Sequence, residues 1–250
     1  MAFLIRTLAC TYYGGHHIEP HVHPWGQLIY AASGVMRIRA AGRLWLVPPA
    51  RAVWAPAGLE HEIWARGDFA MRTLYIAPSL AAGLPDACLG LDVPALLREL
   101  ILHIVGLGML HEGEADHEAL AQVTVNLLKA PTPLPSSLPW PRDRRALAVA
   151  ERLLADPGAP AELSALGRGA GASARTLQRL FLDETGLGFS EWRQRLRLLH
   201  AATLLGAGSS VTEAGLEAGY ASTSAFIAAF KRQLGRRAWL RLQDGLHGRA

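Results

Sequence analysis

The chain has 250 residues, of which 50% are hydrophobic and 18% are charged, with 25 glycines and 15 prolines. This composition predicts a folded protein with a sizeable core and excludes collagen-like, mucin-like and globally disordered chains. Two cysteines, Cys10 and Cys88, are too few for a disulfide framework, which favours a reducing cytoplasm. The first ten residues lack the pattern of a secretory signal, and charges interrupt the longest apolar stretch, at 95–110, so we expect a soluble intracellular protein.

The net charge of +4 is unevenly distributed along the chain. Residues 142–250 hold 16 lysines and arginines against 10 acidic residues, whereas residues 1–141 hold 9 against 11. Eight of the ten histidines lie at or before His117. This asymmetry predicts two domains with different roles and favours a polyanionic partner for the second, a solvated basic surface being the plainer alternative.

The first part of the chain has the short apolar runs and closely spaced turns of a β-protein. Residues 27–31 and 35–39 are β-rich, and turns are predicted at 33–34, 41–42 and 48–49. We therefore predict an all-β barrel over residues 1–80. Residues 94–110 and 114–129 have helical spacing, which predicts a helical extension over 81–129. One face of that extension is a candidate dimer surface, and packing against the barrel core is the alternative.

A proline-rich segment separates the two parts of the chain. Residues 130–141 contain five prolines in twelve positions, which favours extended geometry and predicts a linker. Residues 142–250 are predicted to be helical throughout. The predicted helices are Asp143–Asp156, Ala161–Arg168, Ser173–Glu184, Ser190–Leu205, Val211–Ala218, Ser222–Leu234 and Arg236–Gln243.

The helical part contains a loose internal duplication. A short helix, a turn with glycine and a serine-capped helix occur at 161–184 and again at 211–234. A long helix between the two units carries an apolar stripe that we expect to fix their separation. Two recognition helices about 34 Å apart, one turn of DNA, enter successive major grooves. An ordinary amphipathic helical bundle is the alternative.

Helical periodicity divides each serine-capped helix into a buried face and an exposed face. In the first, Leu177, Leu180 and Phe181 are predicted to be buried, and arginine and glutamine on the other face can form bidentate bonds with guanine and adenine. In the second, the predicted outer face is small and modestly polar, with two cations placed for phosphates. The candidate DNA-binding residues are Arg175, Gln178, Arg179, Thr223, Ser224, Lys231 and Arg232.

The helical part resembles the AraC/XylS family of bacterial transcription regulators over about 100 residues. The resemblance is carried by Leu177-Gln-Arg-Leu-Phe, Phe189-Ser-Glu-Trp-Arg, Arg197-Leu-Leu, Val211-Thr-Glu-Ala, Gly219-Tyr-Ala-Ser and Ser224-Ala-Phe-Ile-Ala-Ala-Phe-Lys. It implies a seven-helix domain with two helix-turn-helix units that binds promoter DNA, in which Ser222 is a helix cap. The chain departs from the family pattern at Ala174, Gly215 and Leu234-Gly-Arg-Arg-Ala238. Three glycines at 167, 169 and 171 are expected to loosen the first unit, because a glycine within a helix costs about 1 kcal/mol.

Histidines in the first part have the spacing of metal ligands. His21 and His23 lie on one side of a predicted strand with Gln27 nearby, and a turn at 56–58 leads to His61. Three imidazoles and one oxygen suit a divalent transition metal. A metal-free pocket for an organic effector and inert structural histidines are the alternatives. The candidate effector-pocket residues are Trp25 and Trp54, since aromatic walls suit a small planar or apolar ligand.

The same residues resemble the two motifs of the cupin barrel. His21-x-His23-x3-Gln27-x6-Gly34 is similar to the first motif and Pro56-x-Gly58-x2-His61 to the second. The resemblance implies one divalent metal ion bound by these residues, although cupins have glutamate where this chain has Gln27. A neutral amide offsets none of the metal charge, so we expect weaker binding than at a carboxylate.

Together these patterns predict a mixed β-then-α chain: a cupin β-barrel with a helical extension, then an all-α domain with two helix-turn-helix units. The expected function is a homodimeric, cytoplasmic transcription regulator that binds double-stranded promoter DNA and senses a small molecule or metal ion. A cupin metalloenzyme of the oxygenase or isomerase type fused to a DNA-binding domain is the first alternative. A constitutive DNA-binding protein with an inert barrel is the second. Activation and repression are left open by the sequence.

Overall fold

The computed structural model describes residues 2–129, 133–134, 137–160 and 162–234, with the side chains of 133, 134 and 234 excepted. The predicted helix Arg236–Gln243 and the departure at 235–238 lie outside the described residues. The chain divides into two compact units. The first holds residues up to 136 except Gly42–Leu44, and the second holds Gly42–Leu44 and the residues from 137 onward.

The first unit is built from short strands in two sheets. The strands are β1 (Phe3–Tyr12), β2 (His16–His21), β3 (Gly26–Ser33), β4 (Met36–Ala40), β5 (Arg43–Val47), β6 (Arg51–Ala55), β7 (His61–Ala65), β8 (Phe69–Ile76), β9 (Leu89–Asp92), β10 (Met109–His111) and β11 (Pro133–Leu134). One sheet has the order β10-β1-β8-β3-β6-β9-β11, and in the other β5, β4, β7 and β2 are neighbours in that order. The predicted β-barrel fold class is confirmed.

Alternation along the strands separates two hydrophobic cores. On β3, Ile29 and Ala31 join a cluster whose members come from both sheets, so these side chains face the interior of the barrel. Leu28 and Tyr30 join a cluster with residues of the helical extension, on the opposite face of the sheet. Because side chains alternate with a period of two, this assignment fixes the orientation of every residue paired with β3.

The two predicted helices of the extension are α1 (Ala95–Leu107) and α2 (Ala115–Lys129). Leu97, Ile101 and Ile104 of α1 are buried in the core that this extension shares with the sheet. The predicted end of the barrel at residue 80 is too early, because β9 pairs with β6 and β10 pairs with β1. These strands have four and three residues, too few to show a periodic pattern.

Part of the predicted proline-rich linker is paired in short strands. Pro133 and Leu134 pair with Leu91 and Gly90 of β9, and Ser137–Pro139 form β12 in the second unit. The extended geometry predicted for these five residues is present. Residues 130–132 and 135–136 of the segment lie outside the described part of the chain.

The second unit is helical, as predicted. Its helices are α3 (Arg144–Ala155), α4 (Leu163–Gly169), α5 (Ala174–Thr185), α6 (Phe189–Ala207), α7 (Val211–Glu217) and α8 (Thr223–Leu234). The helix pairs α4–α5 and α7–α8 each consist of a short helix followed by a serine-capped helix. The apolar stripe of the long α6, which connects the two pairs, is buried. The buried stripe is Phe189, Trp192, Leu196 and Leu199.

Two glycines of the first helix pair have structural roles that the sequence interpretation missed. A Cβ atom on Gly167 would lie 2.4 Å from the carbonyl oxygen of Ala172, so only glycine lets the turn close against α4. Gly171 has a φ of +68°, a left-handed conformation that favours glycine. The helix cost does not apply to Gly171, which lies after the end of α4, and the looser first unit stays a prediction.

Among the described residues, no helix is long and apolar enough to cross a membrane.

Candidate functional site

Three imidazoles converge at one end of the barrel interior. His21 is the last residue of β2, and His61 is the first residue of β7. The two residues pair across the sheet, and His23 lies two residues after the end of β2. Each ring offers a ligand atom, and these atoms lie within 4.8 Å of one another. His61 is 1% exposed, and the other two rings are half-buried. The structure therefore brings together the three histidines that the sequence predicted.

Backbone carbonyls hold all three rings in one orientation. The Nδ1 atoms of His21, His23 and His61 lie 2.9, 2.7 and 2.9 Å from the carbonyl oxygens of Glu19, Trp25 and Leu59. A carbonyl only accepts, so each Nδ1 carries a proton, and an imidazole in this tautomer has its lone pair on Nε2. This anchoring of the remote nitrogen is typical of histidines that ligate a metal.

The amide of Gln27 completes the cluster. Its Oε1 lies 3.0 Å from Nε2 of His23 and 2.8 Å from Nε2 of His61. Its Nε2 donates to the Thr73 hydroxyl over 3.0 Å, and that hydroxyl donates to the Leu28 carbonyl over 2.9 Å. In this orientation the amide oxygen faces two lone pairs, an arrangement that a cation between them stabilises.

Burial keeps the central ring neutral. Desolvation lowers the pKa of His61 to about 4, and the neighbouring rings of His21 and His23 lower it further, against an opposing hydrogen bond to Leu59. At neutral pH the Nε2 atom of His61 therefore carries a lone pair and no proton. The Gln27 oxygen lies about 3 Å from two of the imidazole nitrogens, the spacing of adjacent ligands around a six-coordinate ion with bonds near 2.1 Å, and the ligand atoms of the three rings lie within 4.8 Å of one another.

The two tryptophans proposed for an effector pocket lie in different surroundings. Trp54 faces the core of the helical extension, and its indole N–H donates to the Pro85 carbonyl over 2.7 Å. It lines an open cleft of about 410 Å³ with residues 56–59 and with Ala81, Leu84, Pro85 and Asp86. Trp25 is not among the residues that line this cleft and instead stacks against Arg6, 4.7 Å from its guanidinium carbon. These placements do not support one shared aromatic wall.

The first recognition-helix candidate is α5. The Ser173 hydroxyl accepts from the Thr176 amide over 3.1 Å, and Gly186 ends the helix in a left-handed conformation. Leu177 and Phe181 are buried. The predicted DNA-binding residues of this helix, Arg175, Gln178 and Arg179, are all exposed on one face.

The second recognition-helix candidate is α8, and the predicted cap is present because the Ser222 hydroxyl accepts from the Ala225 amide over 3.2 Å. Ser224, Lys231 and Arg232 are exposed, whereas Phe226, Ala229 and Phe230 are buried. Thr223 is half-buried, and its hydroxyl donates to that of Thr212 on α7 over 3.2 Å. The side chain of Leu234 lies outside the described part of the structure.

Sequence reasoning missed three residues on the inner face of the barrel near the imidazoles. Thr73 orients the Gln27 amide, Tyr75 has its ring 5.1 Å from that of His23, and Arg6 lies opposite Tyr75 on β1. None stands close in sequence to the histidine motifs. Only the strand register brings these residues together, and no local pattern indicates it.

A β-barrel with a polar interior cluster, followed by a duplicated helix-turn-helix unit, defines a DNA-binding regulator with a ligand-binding domain. Two family models match the chain: an AraC-like ligand binding domain over residues 8–187 and a helix-turn-helix domain over residues 166–238. The chain belongs to the AraC family, and it is a transcription regulator with a DNA-binding domain and a ligand-binding domain.

Relatives of the chain are regulators too. It is 36% identical to the HTH-type transcriptional regulator NimR of Escherichia coli K12 over 219 residues, 86% of this chain and 79% of NimR. It is 41% identical over 107 residues to RipA of Corynebacterium glutamicum, 43% of this chain and 31% of RipA. Both relatives are named transcriptional regulators, which agrees with the family to which the chain belongs.

Among solved structures, the chain is similar to fatty-acid-bound ToxT from Vibrio cholerae. The identity is 11%, the TM-score is 0.39, and the match covers 96% of this chain and 94% of ToxT.

Proposed function

We propose that this regulator binds a divalent transition metal in its barrel through His21, His23, His61 and Gln27, and that occupancy of the barrel changes its affinity for promoter DNA. The observation that supports the metal is the common orientation of the three imidazoles. Each donates Nδ1–H to a carbonyl and leaves Nε2 for a cation. A bound ion would hold together the chain segments that carry these ligands.

A metal-free site for an organic effector is the second candidate. The orientation of the Gln27 amide distinguishes the metal-free site from the metal site. With Gln27 turned by 180°, its two N–H groups would donate to Nε2 of His23 and His61, and the Thr73 hydroxyl would donate to the Gln27 oxygen in place of the Leu28 carbonyl. In that orientation the cluster needs no cation. Nitrogen-15 NMR of the Gln27 side chain distinguishes them: two hydrogen-bonded protons on the imidazoles favour the metal-free site, and a metal-dependent shift favours the metal.

For DNA we propose that Arg175, Gln178 and Arg179 of α5 and Ser224 of α8 contact base edges, and that Lys231 and Arg232 contact phosphates. Support comes from their exposure and from the donor geometry of arginine and glutamine. Thr223 is retained as a weaker base contact, because its hydroxyl already bonds to Thr212. The protein then acts in the cytoplasm, where the chromosome lies.

We also propose a homodimer formed through the helical extension. Leu96, Leu102 and Leu107 of α1 and Val123 of α2 are large apolar side chains that are 58, 37, 47 and 44% exposed. Apolar surface of this kind is common at homodimer interfaces. Sedimentation of the full chain tests this proposal, and a monomer at all concentrations contradicts it.

Replacing Gln27 by glutamate is expected to strengthen metal binding by about tenfold or more, because the number of charged ligands sets the affinity of such sites. Titration of the metal-free protein with Co²⁺, followed by visible absorption, measures the change. The exposed Gln122→Glu makes the same charge change on α2 and is expected to leave the affinity unaltered. Unchanged or weaker binding by a correctly folded Gln27→Glu variant contradicts the proposed ligand role.

Removing the charge of Lys231 is expected to weaken binding to every DNA sequence alike. A phosphate contact carries no sequence information, and its loss reduces the slope of log affinity against log salt by about 0.9. Fluorescence anisotropy of Lys231→Ala at several salt concentrations tests this, with Lys129→Ala on α2 as the charge-matched control. A loss confined to the cognate sequence would assign Lys231 to base readout instead.

A further inference from the structure

A row of side chains crosses the inner face of the larger sheet and ends at the imidazole cluster. Arg6 of β1 pairs with Tyr75 of β8, and Tyr75 pairs with Gln27 of β3. Gln27 faces the barrel interior, and residues opposite one another in an antiparallel sheet share a face, so the row lies on the interior side. Strands are spaced by about 4.8 Å, which places the Cα atoms of Arg6 and Gln27 about 10 Å apart.

The cluster carries no negative charge with which to balance a metal ion. Among the described residues, the metal-competent group there consists of His21, His23 and His61, and Gln27 is a neutral amide. The acid next to the cluster in sequence, Glu62, faces the other side of the sheet. Its carboxylate lies 2.7 Å from Arg39 and 3.0 Å from His17. A divalent ion bound by the cluster therefore keeps its full charge of +2.

Arg6 adds a second uncompensated positive charge beside this site. Its guanidinium carbon lies 4.6 Å from the ring centre of Phe3 and 4.7 Å from that of Trp25. Within the described part of the chain, no carboxylate lies within ion-pair distance of Arg6. Trp25 in turn supplies the carbonyl that anchors His23. Arg6 and the metal cluster thus share an immediate neighbour.

Tyr75 lies between Arg6 and Gln27 in the strand register. Its ring is 5.1 Å from that of His23, in an edge-to-face arrangement. Its phenol is a hydrogen-bond donor on the interior face of the sheet, because Tyr75 pairs with the inward-facing Gln27. With a metal ion bound at the cluster, an anion on this row would meet a positive charge at each end, the ion and Arg6. The Tyr75 phenol would be a neutral hydrogen-bond donor between them.

We propose that the effector is a small organic dicarboxylate that bridges the bound metal and Arg6. One carboxylate would bind the metal ion, which the neutral protein ligands leave with its full charge. The other carboxylate would accept two hydrogen bonds from N–H groups of the planar Arg6 guanidinium. Tyr75 donates to the ligand between them. This inference rests on the metal of the proposed function and adds to it the chemical class of the effector.

The test uses the full-length protein loaded with Co²⁺ and succinate as the probe, with acetate and the uncharged succinamide as controls. Succinate is expected to alter the visible Co²⁺ spectrum and to bind at least about tenfold more tightly than acetate, the gain from one charge-assisted contact. Succinamide is expected to leave the spectrum unchanged. Arg6→Gln should remove the advantage of succinate while still binding Co²⁺, and Arg66→Gln, elsewhere on the same unit, should behave as wild type.

The outcomes separate the two proposals. If Co²⁺ binds and succinate has no advantage over acetate, or keeps it in Arg6→Gln, the dicarboxylate inference is overturned and the metal site remains. If Co²⁺ does not bind, the metal proposal fails and the bridging inference fails with it. Arg6 is exposed, so loss of folding is not expected to complicate the variant.

Discussion

Replacing His61 by alanine is expected to abolish the uptake of one equivalent of Co²⁺ or Zn²⁺ by the chelator-treated protein. In the proposed site the ring would supply one of four ligand atoms, and its Nε2 lies 2.8 Å from the Gln27 oxygen. Loss of an outer-shell partner already lowers metal affinity by 10–100-fold, so loss of a ligand is expected to lower it by more than about 100-fold. Elemental analysis of untagged protein after dialysis measures the occupancy.

A second variant separates loss of a metal ligand from loss of folding. His61 is buried, and its removal leaves a cavity, whereas His21 is half-buried and its loss costs less packing. His21→Ala is expected to lose the metal while keeping its circular dichroism spectrum. His103→Ala, on the exposed side of α1, should retain full occupancy. Equal metal content in all three variants would contradict the assignment of the cluster as a metal site.

Replacing Arg179 by alanine is expected to lower affinity for the cognate sequence by about 5- to 150-fold, the equivalent of 1–3 kcal/mol for one bidentate base contact. Preference for one base at one position of the site should relax at the same time. Selection of bound duplexes from a random library, with wild type and variant side by side, reports both effects.

Arg144→Ala provides the matched control for this prediction. It removes the same charge from an exposed position on α3, outside both recognition-helix candidates, and it should leave the selected sequence unaltered. If Arg179→Ala loses as much affinity for random DNA as for the cognate sequence, Arg179 contacts phosphate and reads no base.

Within the described residues, the helices of the second unit could be predicted to within two residues because their boundaries are set locally. The Ser173 hydroxyl caps α5, and Gly186 ends it, both through contacts within three or four residues. The capping box of α7, in which Ser210 and Glu213 bond reciprocally, is equally local. The residue types and spacings of such caps can be recognised in the sequence itself.

The barrel site was only partly predictable, for a physical reason. The spacing of His21, His23 and Gln27 is local and indicated the cluster. Thr73 is 46 residues away from Gln27, and its contact with the amide depends on strand register. The same register decided that Trp54 faces the helical extension and not the barrel interior.

The most direct test of the central claim measures the affinity of the full-length protein for its selected promoter sequence with the barrel empty and occupied. Anisotropy is recorded for metal-free protein, for Co²⁺-loaded protein, and for Co²⁺-loaded protein with succinate, each beside His21→Ala. We predict that occupancy changes the wild-type affinity by about 5-fold or more, the lower end of typical coupling between sites, and leaves His21→Ala unaffected. Identical affinity in all states would contradict the account and indicate a constitutive DNA-binding protein with an inert barrel.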